Sequence, residues 1–487
     1  MSSGPEVITS TNRDLPCDAL VVGAFSQDGM AVLATSIPGL EETAEEQVKE
    51  AITDAGFKAA VGSVLLLPTF GMAPARSVAI AGLGNRSVAT PRQVRKAAAG
   101  AARRLADRVE ITSTLHSAVD GSQKAAAEGF LLGSYRFNKY KADPSASKIQ
   151  RVSFIDASEE ELRSGSILAE ATTLARDLIN EPPSSLTPMV LAERAREIAD
   201  VSGLEFAVLG EEELEERGFG GIMGVARGSA EPPRLIRIRY APQGATRRVA
   251  IVGKAVTFDS GGLSLKPMQS MMDMKTDMSG GAAVIGAMSA LPRLGPNIEV
   301  VAYVPAVENM PGGRSLRPGD VITHYGGRTT EVLNTDAEGR LILGDALALA
   351  SEHEPEAIVD IATLTGSISV ALGNKIGGLF STDERLSEEL REAAASCGEA
   401  MWPMPLADEY VSELDSQIAD CKNVGSRYGG AIIAALFLKA FVKDGVPWAH
   451  LDIAGVARSD KDYDEISKGG TGAGTRTLIH WIEGRAS

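Results

Sequence analysis

An α/β fold in two domains follows from three features of this 487-residue chain. Its length exceeds what one ordinary hydrophobic core fills. Short apolar runs alternate with helical patterns from one end to the other. Several of those runs are almost continuously apolar, which suits strands of a parallel sheet covered on both faces. We therefore expect a smaller N-terminal α/β domain over 1–160, a linking helix over 161–183, and a larger C-terminal α/β domain over 184–487. The larger domain should carry a mixed, mainly parallel sheet covered by helices.

The elements can be justified in order. DALVVGAF, GSVLLLPTF, RSVAIAGLG, RVEITSTLH and KIQRVSFIDA read as strands of the first domain. TPRQVRKAAAGAARRLAD reads as a helix, with Thr90 as N-cap and Pro91 at its first position. The GLGNRS that follows one strand lacks the third glycine of a dinucleotide fingerprint. Glu159 to Pro183 predicts a long helix, stopped by Glu181-Pro182-Pro183 and placed to bridge the domains. Beyond it RLIRIRYAP, RRVAIVGKAV, IEVVAYVPAV, AIVDIATLT and WAHLDIAGV are strand-like, separated by helical patterns such as GGAAVIGAMSAL, RLILGDALALASEH and GGAIIAALFLKAFVKD. The acidic run GEEELEERG reads as a solvated helix face.

Composition narrows the class. Apolar content of 44% and charged content of 23% belong to a folded globular chain. The 48 basic against 64 acidic residues leave a formal charge of −16, which opposes broad nonspecific nucleic-acid binding. Cys17, Cys397 and Cys421 are few, odd in number and far apart, as for free thiols in a reducing compartment. No signal-peptide pattern and no apolar run approaching about 20 residues is present, so a cytoplasmic protein without membrane contact is expected.

Chemistry concentrates in GKAVTFDSGGLSLKPMQSMMDMKTDMSGG (Gly253 to Gly281) and NTDAEGRL (Asn334 to Leu341). Taken singly, Asp336 and Glu338 read as helix caps, Asp259 as a turn aspartate and Asp277 as another cap. Four carboxylates at strand-to-helix junctions, brought together, would repel one another unless cations neutralised them. Divalent metal is the economical cation for such hard oxygen donors. Lys254, closing an apolar strand, is then either a salt-bridge partner or a nitrogen ligand. Lys266 is either a surface charge or an electrophile over a substrate carbonyl. Arg340 either pairs with Asp345 or holds an anion. His450 lies in a buried-looking strand and reads as a structural hydrogen-bonder. There is no HExxH, GxSxG or Walker A motif, so zincin, serine-elbow and P-loop chemistry lack support.

At these residues the chain resembles the cytosolic leucine aminopeptidase family of hexameric, two-metal aminopeptidases. NTDAEGRL stands as the family signature, and GKAVTFDSGG departs from the family pattern only at Ala255, where a glycine is usual. SLKP, MKTDMSGGAAV, ATLTG, RYGGAI, WAHLDIAG and ARDLINEPPSSLTP match further blocks in order. The match is specific over about residues 170–487; over 1–160 only a macro-like architecture agrees. The resemblance implies a metallopeptidase domain over 184–487 with two divalent ions, Mn²⁺ or Zn²⁺. One would be held by Lys254, Asp259, Asp277 and Glu338, the other by Asp259, Asp336 and Glu338. It implies Lys266 as the electrophile and Arg340 as the holder of a bicarbonate general base, assisted by Ala337, Gly339 and Leu364. Met274, Asn334, Thr363, Leu364 and Gly366 would line the substrate cleft. The implied activity is removal of N-terminal leucine or other apolar residues from peptides with a free N-terminus, by a homohexamer. Two further readings stand beside it: a two-metal phosphatase, and DNA binding through the basic run Arg92 to Arg108.

Overall fold

The computed structural model describes residues 4–142 and 147–486. The chain forms two compact units, residues 1–173 with 460–468, and residues 174–459 with 469–487. The long helix runs over Glu159–Asn180 and ends before Glu181-Pro182-Pro183, where the missing amide hydrogens of two prolines stop it. The division between the units falls within this helix. Residues 460–468, which no local pattern marks, return to the first unit. No helix among the described residues is long and apolar enough to cross a membrane.

The first unit is built on a seven-stranded sheet. Glu6–Ser10, Arg151–Ile155, Glu110–Ser113, Ala19–Gln27 and Ser77–Asn85 run parallel in that spatial order. Val64–Pro68 and Met30–Leu33 add antiparallel edges. Alternate residues of Ala19–Gln27 enter different apolar clusters: Ala19 and Val21 on one face, Leu20 and Val22 on the other. Burial of both faces is why this strand reads as a continuous apolar run.

The expected helix runs over Pro91–Arg104 behind Thr90, whose backbone amide donates to Gln93 Oε1 at 3.0 Å. Its basic residues do not form one exposed stripe. Arg95 is buried against Glu128 at 2.8 Å, and Arg103 donates to the carbonyls of Asp464 and Ile466.

The second unit carries a nine-stranded mixed sheet. Its middle strands, Trp448–Asp452, Ile358–Ala362, Arg248–Gly253 and Glu299–Asn309, are parallel neighbours. Antiparallel Arg234–Tyr240 and Glu205–Leu209 extend one side, and Gly377–Ser381 with Met401–Pro403 the other. Ala255–Asp259 pairs with the distal half of Glu299–Asn309 after a one-residue break at Lys254. The strand that precedes Asp336 and Glu338 is Thr329–Val332, and it lies outside this sheet. It forms a separate three-stranded sheet with Asp320–Thr323 and Cys421–Lys422.

Helix Gly339–Glu352 shares an apolar cluster with Ala250, Val252, Val301 and Phe437. Helix Ser279–Leu294 packs against the same strands through small residues. Gly280 explains how close that approach is. A Cβ there would overlap the Ile361 carbonyl oxygen and stand 3.0 Å from the Lys254 nitrogen. Replacing Gly280 by alanine should push the helix off the sheet and destabilise the protein by about 1–3 kcal/mol. A urea midpoint unchanged from that of the unsubstituted protein would contradict this packing.

Candidate metal centre

Lys254, Asp259 and Thr363 emerge at the carboxyl ends of strands of the nine-stranded sheet, where open α/β sheets gather ligands. Asp336 and Glu338 follow the strand Thr329–Val332 of the separate sheet, and Asp277 precedes the helix Ser279–Leu294. Lys254 fills the break between two strands. Its backbone is fixed on both sides, the amide donating to Ile361 O at 3.1 Å and the carbonyl accepting from Gly281 N at 2.7 Å. The side chain is 3% exposed and does not snorkel to water. Its Nζ lies 2.8 Å from Asp277 Oδ2, 2.8 Å from Glu338 Oε1 and 2.9 Å from the Thr363 carbonyl. Thr363 Oγ1 in turn donates to Asp277 Oδ1 at 2.7 Å. Lys266 makes the matching arrangement with Asp259 Oδ2 at 2.8 Å and Asp336 Oδ1 at 2.5 Å.

Asp259, Asp336 and Glu338 each place one carboxylate oxygen within 4.8 Å of the other two. Four carboxylates thus face two ammonium groups, an excess of two negative charges in a largely buried site. Asp277 Oδ2, Asp336 Oδ1 and Glu338 Oε2 are buried oxygens without a hydrogen-bonding donor. Two of them still stand within ion-pair distance of a lysine, so proximity is present where hydrogen-bond geometry is absent. Buried carboxylate oxygens without donors are costly unless a cation meets them. All are hard oxygen donors, so these residues fit divalent metal.

The electrostatics agree with that crowding. Burial works against the charge on Lys254, but Asp277, Glu338 and Asp259 outweigh it and hold its pKa above the ordinary lysine value. Lys266 is raised in the same way, burial being overcome by Asp259 and Glu338. Burial and then Glu338 push Asp259 up to about 6, against Lys266 and Lys254. Asp277 is raised well above the usual carboxylate range by burial, against Lys254. Asp336 is raised by burial despite Lys266. Burial opposes ionisation of Glu338 too, yet Lys254 and Lys266 outweigh it and hold Glu338 below its ordinary value. Like charges at close quarters separate the carboxylates into harder and easier ones to ionise.

The capping readings do not hold. Helix Gly339–Glu352 has no side-chain cap, and Asp277 spends its oxygens on Lys254 and Thr363. Arg340 is not paired with Asp345, whose oxygens are taken by His324 Nδ1 at 2.8 Å and by the amides of Ile222 and Tyr325. Arg340 instead donates to the Asn423 carbonyl at 2.7 Å. Burial lowers its pKa to about 10, against Glu338 and Asp452. His450 binds Asp360 at 2.5 Å, and Asp360 also accepts from Trp448 Nε1 at 2.7 Å.

Of the residues expected beside the ligands, Thr363 touches the cluster directly, through its bonds to Lys254 and Asp277. Asn334 contacts it through its side chain, Oδ1 accepting from the backbone amide of Asp336 at 2.9 Å. Leu364 offers its amide to Asp452 Oδ1 at 3.2 Å. Ala337 sits in the turn with its amide on Asn334 O at 3.3 Å. Gly366 begins the helix Gly366–Leu372, and Met274 the single turn Met274–Thr276, where its carbonyl accepts from Asp277 N at 3.3 Å. Gly339 matters through space: a Cβ there would stand 2.5 Å from Lys254 Cε and 2.7 Å from Nζ. Ala255 lies in an extended strand, fully buried, its methyl opposite the bare Cα of Gly281.

The structure adds partners that the motifs did not name. Asn309, ending a long apolar strand, donates from Nδ2 to Asp259 Oδ1 at 2.8 Å and to Thr335 O at 3.0 Å. Thr335 Oγ1 donates to Gly261 O at 2.7 Å and accepts from Ser264 N at 2.8 Å. Asp452, besides Leu364, accepts from Thr365 Oγ1 at 2.8 Å. An asparagine or aspartate that ends an apolar strand was the available signal for Asn309 and Asp452.

A sequence profile described as the cytosol aminopeptidase family, catalytic domain, matches residues 173–479, and the profile of that family's N-terminal domain matches 21–144. A probable cytosol aminopeptidase of Nocardia farcinica is 42% identical over 99% of this chain and 98% of its own length. One from Rippkaea orientalis is 43% identical over 96% of both. Among solved structures, the bottromycin maturation enzyme BotP in complex with Mn superposes with a TM-score of 0.87 at 40% identity, covering 97% of this chain and 100% of that one. A mutant of tomato leucine aminopeptidase also gives 0.87, at 32% identity, covering 99% and 97%.

The ion pairs make a direct prediction about stability. Lys254→Met should strand Asp277 and Glu338 without their cation and destabilise the metal-free protein by about 3–5 kcal/mol. Chemical denaturation after exhaustive chelation checks this, and a cost below about 1 kcal/mol, the range of an exposed pair, would contradict it.

Proposed function

Because the chain belongs to the cytosol aminopeptidase family, and is thereby a metal-dependent exopeptidase, we propose that it removes leucine and other apolar residues from the N-terminus of peptides. The observation that carries this reading is the cluster of buried carboxylate oxygens that two lysines leave under-neutralised. Lys254, once its ammonium gives up its proton, would hold one divalent ion with Asp259, Asp277 and Glu338, and Asp259, Asp336 and Glu338 would hold a second. When bound, such ions supply an acidified water and a Lewis acid, and a bicarbonate supplies a general base.

The chain's own groups account for the rest. Lys266 is held charged by its carboxylate neighbours, so it can donate to the oxygen on which negative charge develops during attack on the scissile carbonyl. Arg340 offers a planar fork suited to bicarbonate, with the backbone N–H of Gly339 in the adjoining turn and that of Ala337 once it releases Asn334 O. Its burial keeps water from competing for that anion. Met274, Asn334, Thr363, Leu364 and Gly366 would line the cleft, Met274 giving it an adaptable apolar surface. Selection of a free N-terminus follows if the uncharged α-amine joins the ligand set, since an amide nitrogen has no lone pair to offer. Manganese is supported by the Mn-bound relative, and a homohexamer is the proposed assembly.

Leucine p-nitroanilide with added Mn²⁺ or Zn²⁺ should be cleaved, chelation should abolish cleavage, and restoring metal should return it. N-acetylation of the substrate should abolish turnover. Metal-loaded protein that cleaves no substrate with a free N-terminus, yet releases phosphate from a simple phosphoester, would overturn this reading. Lys266→Ala should lower kcat about 10²–10³-fold, the scale for losing one donor to a developing oxyanion. A kcat within threefold of the unsubstituted protein would remove Lys266 from the electrophilic role.

A further inference from the structure

The turn that carries Asp336, Glu338 and Arg340 leaves the sheet very early. Its strand, Thr329–Val332, has a parallel neighbour of only two residues, Cys421–Lys422, paired as Thr330↔Cys421 and Glu331↔Lys422. The ladder continues for one bond, from Asn423 N to Glu331 O at 3.0 Å. From there Leu333, Asn334 and the residues that follow have no strand beside them to fix their peptide groups. A loop with unpaired backbone would be free to move, and a metal centre with loosely placed ligands loses affinity and rate.

The side chain of Asn423 fills that gap. Its Oδ1 accepts from Leu333 N at 2.8 Å and from Asn334 N at 3.3 Å. Its Nδ2 donates to Asn334 O at 2.7 Å and reaches Ala337 O at 3.4 Å. A carboxamide presents a carbonyl acceptor and an N–H donor in one plane, as a peptide group does, so it replaces the strand residue that is missing from the ladder. The main-chain carbonyl of the same residue accepts from Arg340 Nη1. Asn423 is 0% exposed, so water does not compete for any of these bonds.

We propose that Asn423 is the positioning residue of the Asn334–Arg340 turn, setting the places of Asp336, Glu338 and Arg340 without touching substrate or metal itself. This rests on the metal-centre reading above. No other standard side chain supplies the same bonds. Aspartate keeps the acceptors but has no donor for Asn334 O and brings a charge. Alanine keeps neither, and glutamine is one carbon too long.

The test uses the full-length protein with Asn423→Ala and Asn423→Asp. Mn²⁺ affinity is measured by competition with a chromogenic chelator on metal-stripped protein, alongside kcat and KM on leucine p-nitroanilide and thermal melting by circular dichroism. Both variants should fold and melt within a few degrees of the unsubstituted protein. Mn²⁺ affinity should fall about 10–100-fold, the scale for losing a group that orients metal ligands, and kcat should fall more than KM rises.

Asparagine restored at 423 should recover both. The aspartate variant, equal in size and retaining two of the bonds, decides the matter if the alanine variant does not fold. Mn²⁺ affinity within twofold in a folded variant would overturn the positioning role, and so would failure of both variants to fold, which would make the residue purely architectural. If the unsubstituted protein itself bound no Mn²⁺, the metal-centre reading would fall and this proposal with it; indifference of the variants alone overturns only the proposal.

Discussion

Lys254 sits buried between Asp277, Glu338 and the Thr363 carbonyl, and the organisation of the catalytic unit follows from accommodating that contact. A buried ammonium is tolerable only where carboxylates meet it, and buried carboxylates only where cations meet them. Here the ammonium groups are met in full and the carboxylates are not. Two lysines answer four carboxylates, so the fold holds a stored demand for positive charge that a hydrophobic core would never create. Such a demand costs stability in the metal-free state and supplies affinity when cations arrive, which couples folding to metal binding.

Bringing those charges together requires chain segments to approach more closely than ordinary side chains permit. Gly280 allows a helix to lie on the strand carrying Ile361, and Gly339 leaves room for the Lys254 side chain. Neither glycine has the left-handed backbone that usually explains glycine, so the need is for space and not for torsional freedom. The acidic turn is then held by asparagines. Asn309 ties Asp259 to Thr335, and Asn423 ties Leu333, Asn334 and Arg340 to the end of a short ladder. Their neutral carboxamides add donors and acceptors without adding charge to a site already overcharged.

Much of the architecture was legible in the chain. Strands such as Ala19–Gln27, Arg248–Gly253 and Glu299–Asn309 are buried on both faces, and a continuous apolar run records that directly. Thr90, Pro91 and the Glu181-Pro182-Pro183 stop mark helix ends through local backbone chemistry. Strands whose residues are mixed or few went unmarked: Glu6–Ser10, Glu205–Leu209, Asp320–Thr323 and Cys421–Lys422 owe their form to neighbours distant in the chain. The return of residues 460–468 to the first unit has no local signal for the same reason.

By itself the sequence determined the α/β class, the order of most elements and the candidate charged side chains, because periodicity, caps and motifs are encoded within a few neighbouring residues. It left each charged group with two roles, since spacing along a chain does not say which charge lies across a cavity. The tertiary structure decided those pairings. Lys254 meets Thr363, 109 residues away, and Arg340 meets Asn423, 83 away, while Asp345 is claimed by His324. Ion pairing and ladder replacement depend on distance through space and on exclusion of water, and both exist only once the sheet has assembled.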